Sequence, residues 1–449
     1  MLRSLRLLKA PRFPFDPARA PFFYGWWILI ATTVGILGSI PGQTMGVGVF
    51  TEYLILETGL DRLEVSVAYM AGTIASSLLI PYGGILLDRW GARPMIVLAG
   101  VGLASALLLL RVTPEVLSGL WSAWPQVPRA WVSLLLLSGV FLLLRQFGQG
   151  LMTMVSRTVL SKWFDRRRGL ATGFSGVMVS FGFSVAPLVL NALIQRSGHS
   201  ATILWLALVC GLGIAFWGWL FFRDQPEDCG LRMDGVSEEQ ASSLPRSGHT
   251  ATEEVPLEVV RRSYTFWIFT LGMSSSALIV TGFTFHVASI GQTAGLEVQE
   301  VYAVFLPISV ISVVSNFTSG WLSDRIPLKY LLMVLVLALG VGSLGMLSLD
   351  TEWGRLMLIA GYGVQGGVWA CLSVVAWPRF YGRKHLGAIS GLFMGVMVFS
   401  SAIGPALFGL SERWMGDYSG SAWGAVVLNL LLFAGAFGAK RMLPPPGAR

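Results

Sequence analysis

The chain is built from long apolar runs separated by short polar segments. Each run has ~18–25 residues, close to the ~20 that a helix needs to cross a hydrocarbon core of ~30 Å. Lipid favours helices because an unpaired backbone amide there costs several kcal/mol. The pattern predicts an all-α integral membrane protein with twelve transmembrane helices, at about residues 25–49, 65–87, 94–112, 131–156, 169–194, 201–222, 265–290, 299–323, 330–349, 354–377, 386–410 and 419–438.

A polar segment at residues 223–262 divides these helices into two groups of six. It is rich in Asp, Glu, Ser, Gly and Pro, a composition typical of a solvated linker without a core of its own. The predicted organisation is therefore an N-terminal tail, a six-helix bundle, a linker, a second six-helix bundle and a C-terminal tail, at residues 1–24, 25–222, 223–262, 263–438 and 439–449.

Composition supports a membrane protein and excludes several other classes. Only 12% of the 449 residues are charged and the mean hydropathy is +0.67, whereas soluble domains carry about 25% charged residues. The net charge of +8 does not indicate nucleic-acid binding, because the cations lie in short loops beside apolar runs. The three cysteines show neither a disulfide framework nor metal-ligand spacing.

The distribution of Lys and Arg predicts the orientation. With both termini in the cytoplasm, 24 of the 32 cations lie in cytoplasmic segments, six lie in outer loops, and Arg145 and Arg157 lie inside a helix. This excess agrees with the positive-inside rule. We therefore expect a multi-pass protein of a cytoplasmic or bacterial inner membrane.

Two charged turns show that the halves are related. Gly84–Arg93 reads GILLDRWGAR, and Gly320–Arg325 reads GWLSDR with Lys329 beyond it. A second pair, Gly169–Gly173 and Gly387–Gly391, opens the fifth and eleventh predicted helices 218 residues apart, whereas the turns are 236 apart. An insertion in the outer loop at 113–130 accounts for the difference, and the chain is a 6+6 repeat.

These turns and the two six-helix halves resemble the major facilitator superfamily over nearly the whole chain. Weaker similarities at Tyr24–Trp27, Phe285–Val287 and Lys162–Phe164 point to its monocarboxylate and oxalate/formate carrier-like branches. The resemblance implies a secondary active transporter that works by alternating access and functions as a monomer.

The resemblance also assigns gating roles to residues of the charged turns. In the family, this turn latches the halves on the cytoplasmic side. The positions that match are Gly84, Asp88, Arg89 and Arg93 in the first turn, and Asp324, Arg325 and Lys329 in the second. Each aspartate is placed to face the positive N-terminus of a neighbouring helix, or an arginine. The alternative is that these charges only anchor the topology.

Arg145 is the main candidate for substrate binding. It lies about 21 Å along the fourth predicted helix, near the bilayer centre, where a cation is costly and usually functional. Gln149 follows one turn later, on the same face. No acidic residue is predicted near mid-helix, so the cavity should be electropositive and favour an organic anion, held by the guanidinium. The alternative is that Arg145 caps backbone carbonyls of a broken helix.

Other polar residues complete the predicted site. His286 is the one histidine predicted inside a helix, and it either carries a proton or is hydrogen-bonded to a neighbour. The resemblance implies that helices 1, 4, 7 and 10 line the cavity, which adds Gln43, Thr44, Gln365 and Trp369. The related carriers place a cation in helix 8 or 11. None is present here, so a monovalent anion fits better than a dicarboxylate.

The sequence therefore predicts proton-linked transport or exchange of a small monocarboxylate-like anion. The runner-up is a hydrophobic drug or metabolite exporter of the same fold, and a transport-dead sensor or scaffold is the alternative of another class. An enzyme is not expected, because no nucleophile–base or metal constellation is apparent. No cofactor, metal or nucleic acid is expected; the partners are the small-molecule substrate and the lipid bilayer.

Overall fold

A computed structural model describes residues 11–235, 254–296 and 298–439. The first ten residues of the predicted N-terminal tail, residues 236–253 of the linker and residues 440–449 of the C-terminal tail lie outside this description. Within the described ranges, twelve helices are long and apolar enough to cross a membrane. The predicted all-α fold with twelve transmembrane helices is confirmed.

These helices are numbered α1 to α12 in chain order. Their bounds are Gly25–Gly48, Leu63–Trp90, Ala92–Arg111, Arg129–Trp163, Arg168–Ser197, His199–Phe221, Tyr264–Val287, Phe305–Ser323, Leu328–Met346, Glu352–Tyr381, Leu386–Met415 and Ser419–Ala436.

The described residues divide into two compact units. The first is drawn from Met1–Trp163, Met178–Ser243 and Ser390–Gly395. The second is drawn from Phe164–Val177, Leu244–Ile389 and Val396–Arg449. The helices α5 and α11 therefore contribute residues to both units.

Small residues allow close helix packing inside the first unit. A methyl group built on Gly72 of α2 would lie 2.6 Å from the carbonyl oxygen of Ser138 in α4, and one on Gly100 of α3 would lie 2.7 Å from the carbonyl oxygen of Gly211 in α6. In lipid, helices do not associate through the hydrophobic effect. They associate through van der Waals packing and hydrogen bonds, which such close contacts allow.

The second unit repeats this packing. A methyl on Gly367 of α10 would lie 2.3 Å from the carbonyl oxygen of Ser312 in α8, and one on Gly361 would lie 2.3 Å from the backbone nitrogen of Gly342 in α9. Aromatic residues fill the space beside these contacts, as in the T-shaped pair of Phe283 and Tyr362, whose centroids are 5.3 Å apart.

Two connecting segments differ from the sequence prediction. The outer loop predicted at 113–130 contains a helix, Thr113–Ala123, that buries Leu117. The linker, expected to be solvated throughout, is packed at its start: Arg223 is 2% exposed and Cys229 is fully buried. The polar composition of residues 223–262 does not reveal this packing, because a few buried residues at one end change the average polarity of the segment little.

Candidate functional site: a buried arginine between two irregular helices

The centre of α4 is a π-helix rather than an α-helix. It runs from Arg145 to Met152, between α-helical stretches Arg129–Leu144 and Thr153–Trp163. The π turn is wider and leaves backbone groups less regularly paired, and such segments occur frequently at functional sites. The sequence-predicted residues Arg145 and Gln149 both lie in it.

Helix α1 is interrupted opposite this segment. Its α-helical part ends at Gly38, a 3₁₀ turn covers Ile40–Gly42, and a short helix resumes at Thr44. Pro41 explains the break, because it has no backbone N–H and its ring obstructs the preceding turn. A methyl group on Gly42 would lie 2.4 Å from the carbonyl oxygen of Leu144, so the two irregular backbones are in direct contact.

Arg145 joins the two irregular segments. Its side chain is 1% exposed, its Nη1 donates to the carbonyl oxygen of Gly42 at 3.2 Å, and its guanidinium carbon lies 5.2 Å from the centroid of the Tyr69 ring. Among the described residues, Nε has no hydrogen-bond partner, and no carboxylate pairs with this guanidinium. The carbonyl contact is the one expected if Arg145 caps a broken helix, and the unpartnered Nε leaves donor capacity for a ligand.

Further polar side chains lie on the same irregular segments and on Tyr69. Thr44 Oγ1 and Tyr69 Oη are hydrogen-bonded at 2.8 Å, and Gln43 Nε2 donates to Ser39 Oγ at 2.9 Å. Gln149 is 9% exposed, and its Oε1 has no partner within the described ranges. The structure thus brings together Gln43, Thr44, Arg145 and Gln149. Tyr69 was missed, since no sequence signal separates it from packing aromatics.

The remaining predicted binding residues lie in the second unit. Gln365 is 6% exposed, and its Oε1 has no partner among the residues described. Trp369 Nε1 donates to the carbonyl oxygen of Met273 at 3.2 Å. His286 is hydrogen-bonded through Nε2 to the carbonyl oxygen of Pro405 at 2.9 Å, and its Nδ1 lies 3.3 Å from Tyr418 Oη. These contacts fit the second interpretation of His286, hydrogen bonding to neighbours.

The second charged turn contains an ion pair. Asp324 Oδ1 accepts from Arg379 Nη2 at 2.7 Å, and Arg379 also donates to the carbonyl oxygen of Ser323. Arg325 instead lies over the Trp321 ring, 4.0 Å from its centroid. The aspartate therefore faces an arginine, one of the two environments expected from the sequence.

Glycines bring helices together at both turns. A methyl group on Gly320 would lie 2.7 Å from the carbonyl oxygen of Gly169, and one on Gly391 would lie 2.9 Å from the Cα of Gly84. Both contacts are backbone to backbone and leave no room for a side chain at Gly84 or Gly320.

The first charged turn is held by residues that follow α6. Asp224 Oδ1 accepts from the backbone N–H of Ala92, the first residue of α3, and Asp224 also pairs with Lys162 Nζ at 3.0 Å. Arg93 is 4% exposed and its Nε donates to the carbonyl oxygen of Phe222 at 3.3 Å. The carboxylate at the N-terminus of α3 is thus Asp224. Asp88 and Arg89 line a cavity of about 230 Å³ beside it.

Next to this turn, Arg223 fastens the N-terminal segment. It donates to the carbonyl oxygens of Pro11, Phe13 and Phe15 at 2.6, 3.3 and 3.4 Å; we call this arrangement the Arg223 clasp. Burial lowers the pKa of Arg223. Burial also raises the pKa of the neighbouring Cys229 thiol to about 11. The sequence does not indicate the clasp, because Arg223 and its acceptor Pro11 are 212 residues apart.

Comparison with known proteins gives the family. The family model described as Major Facilitator Superfamily matches residues 28–405. Monocarboxylate transporter 11 of mouse (Mus musculus) is 28% identical over 444 residues, covering 94% of this chain and 89% of that protein.

Solved structures agree on the fold. The human organic anion transporter MFSD10 (TETRAN) aligns with a TM-score of 0.60 at 15% identity, covering 93% of this chain and 100% of that one. A bacterial homologue of the iron transporter ferroportin aligns with a TM-score of 0.67 at 13% identity, covering 92% and 98%. Twelve transmembrane helices, two related charged turns and a match over most of the chain lead to one conclusion: the protein belongs to the Major Facilitator Superfamily, a family of membrane transporters with the alternating-access fold.

Proposed function

We propose that this transporter moves a small monovalent organic anion, such as a monocarboxylate, and that Arg145 binds it. The observation that carries the proposal is a fully buried guanidinium with an unpartnered Nε and no carboxylate partner among the described residues. An uncompensated cation in lipid is costly, and a carboxylate ligand would neutralise it through two parallel charge-assisted hydrogen bonds. The name of the mouse relative, monocarboxylate transporter 11, supports an anionic substrate.

Polar groups in each unit would contribute to substrate binding. Gln149 Oε1 and Gln365 Oε1, both unpartnered in the described parts of the chain, suit hydroxyl or protonated groups of a substrate. Gln43 presents further polar atoms in the first unit, where Thr44 lies with its hydroxyl hydrogen-bonded to Tyr69. Trp369 is the further candidate in the second unit, with its N–H donated to the Met273 carbonyl oxygen.

Energy would come from protons or from exchange of one anion for another. His286 is the candidate proton carrier, although its ring is hydrogen-bonded to Pro405. We place both termini in the cytoplasm, take the monomer as the functional unit and assign gating to the charged turns, with Asp88, Arg89 and Arg93 in the first and Asp324, Arg325 and Lys329 in the second.

The test is uptake of labelled propionate, lactate and pyruvate into proteoliposomes, with and without a pH gradient. Saturable uptake of at least one acid is expected in the wild type. Arg145→Gln should lower it by roughly 10- to 160-fold, because a hydrogen bond to a charged group is worth about 1.5–3 kcal/mol. Arg129→Gln is the matched control. It makes the same charge change at the exposed start of α4, where Arg129 lies over the Trp121 ring, and should leave uptake unchanged.

The hydrophobic exporter is the second candidate. Normal uptake in Arg145→Gln would contradict the anion site. If no acid is transported while a lipophilic cation is extruded, the exporter becomes the better account. If an inward proton gradient stimulates uptake, the result supports proton coupling. If the gradient leaves uptake unchanged but unlabelled anion inside the proteoliposomes stimulates it, the result supports exchange.

A further inference from the structure

Tyr69 covers the buried arginine. The Arg145 side chain is 1% exposed, whereas Tyr69 and Thr44 are half-buried. The Tyr69 ring lies 5.2 Å from the guanidinium carbon, and its hydroxyl is hydrogen-bonded to Thr44 at 2.8 Å. The cation is therefore shielded by an aromatic side chain that is itself partly accessible.

Three contacts hold the ring in this position. The Phe141 ring on α4 meets the Tyr69 ring edge-on, with centroids 5.3 Å apart. Arg145 attracts the face of the ring by a cation–π interaction. Thr44 holds the hydroxyl, and this threonine begins the short helix that follows the break in α1. Of the three contacts, only the hydrogen bond to Thr44 can be removed without changing the shape of the ring or the arginine.

We propose that the Tyr69–Thr44 hydrogen bond is a latch that keeps Arg145 covered, and that an anion reaches the guanidinium only after this bond breaks and the ring moves. The inference rests on the proposed function of Arg145 as the anion site. When the ring moves aside, the guanidinium exchanges a cation–π contact for a stronger charge-assisted pair with the carboxylate. The latch weakens the apparent affinity for the anion, because the free energy needed to break the Tyr69–Thr44 bond is subtracted from the free energy of binding.

The latch also links anion binding to the break in α1. Thr44 lies just after the 3₁₀ turn whose Gly42 carbonyl accepts from Arg145. Two contacts of the same α1 segment, one to Tyr69 and one to Arg145, are thus affected by a single ligand. Tyr69 acts in this scheme as a positioning residue and not as a group that must touch the substrate.

The test uses isosteric variants that remove only the hydrogen bond. Tyr69→Phe keeps the ring, and Thr44→Val keeps the shape of the side chain. Each should lower the KM for the transported acid by about 2- to 12-fold, the range expected for one intramolecular hydrogen bond. The double variant should show no further change, because both substitutions remove the same bond. A raised KM, an unchanged KM or fully additive effects would overturn the latch.

A second readout does not depend on transport. Phenylglyoxal reacts with accessible arginines, and mass spectrometry of the Arg145 peptide gives its rate of modification. The rate should rise in Tyr69→Phe and Thr44→Val relative to the wild type, while the rate at Arg129 stays constant. Equal rates at Arg145 in all three proteins would contradict the latch.

The two proposals fail in distinguishable ways. If Arg145→Gln transports normally, the anion site is wrong. If Arg145→Gln is inactive while Tyr69→Phe and Thr44→Val keep the wild-type KM and modification rate, only the latch is wrong.

Discussion

Substituting Gly42 by alanine tests whether contact between the two irregular helices builds the site. The new methyl would lie 2.4 Å from the carbonyl oxygen of Leu144 and 2.8 Å from the Cα of Gly148. Both are backbone atoms, so neither can rotate away, and the segments must separate by about 1 Å to reach van der Waals distance. The hydrogen bond from Arg145 to the Gly42 carbonyl, 3.2 Å long, would then exceed hydrogen-bonding range.

The expected cost combines two effects. Overpacking costs about 1–3 kcal/mol, and loss of a hydrogen bond to a charged donor adds about 1.5–3 kcal/mol. Together these should lower the melting temperature of the detergent-purified protein by roughly 5–24 °C, because 1 kcal/mol corresponds to about 2–4 °C for a unit of this size. Tryptophan fluorescence during heating measures the shift, and anion uptake should fall with it.

Gly139→Ala is the matched control. It makes the same change in the regular part of α4, where the new methyl meets nothing within 4 Å. Its stability should be unchanged or higher by up to about 1 kcal/mol, because alanine is the better helix former. If Gly42→Ala melts and transports like Gly139→Ala, close contact between α1 and α4 does not support the site.

Two further predictions concern the second charged turn and the packed start of the linker. Asp324→Asn should lower the melting temperature by more than Arg325→Gln does, because it leaves the partly buried Arg379 without its carboxylate. Arg325, by contrast, donates to the carbonyl oxygen of Trp321 and lies over its ring. Equal shifts would contradict a stabilising pair. Burial raises the thiol pKa of Cys229 to about 11, so this thiol should react with iodoacetamide slowly at pH 7.5 and faster as the pH approaches 11. In the SDS-unfolded chain, the reaction rate should instead rise near the usual thiol pKa of about 8.5. Mass spectrometry of the Cys229 peptide compares the two pH profiles.

Local sequence signals were sufficient for the architecture. In the described parts of the chain, the twelve apolar runs form twelve helices, because lipid allows few alternatives for a segment of that length and composition. The glycines of the charged turns lie in backbone-to-backbone contacts. Arg145 is recognisable in the sequence because a cation at the middle of a membrane helix is rare. In the structure this side chain is buried and donates to the carbonyl oxygen of Gly42.

The features that escaped prediction depend on tertiary contact. The π segment at Arg145–Met152 has no composition that distinguishes it from an ordinary helix, although Pro41 and Gly42 do signal the break in α1. Tyr69 gains its importance only from lying over a guanidinium that is 76 positions later in the chain. The composition of residues 223–262 places Arg223 in a solvated linker, whereas its hydrogen-bond partners in the fold are carbonyl groups near the N-terminus.

The Arg223 clasp has a consequence for biosynthesis. Its donor and its first acceptor, Pro11, are 212 residues apart, so the N-terminal segment leaves the ribosome long before the residue that holds it. At ~5–20 residues per second, the delay is about 10–40 s, during which six helices are made. The segment can be fastened only when α6 is complete, which makes the clasp a late step in assembly of the first unit. A nascent chain arrested before residue 223 would still have an unfastened N-terminal segment, open to proteases or chaperones.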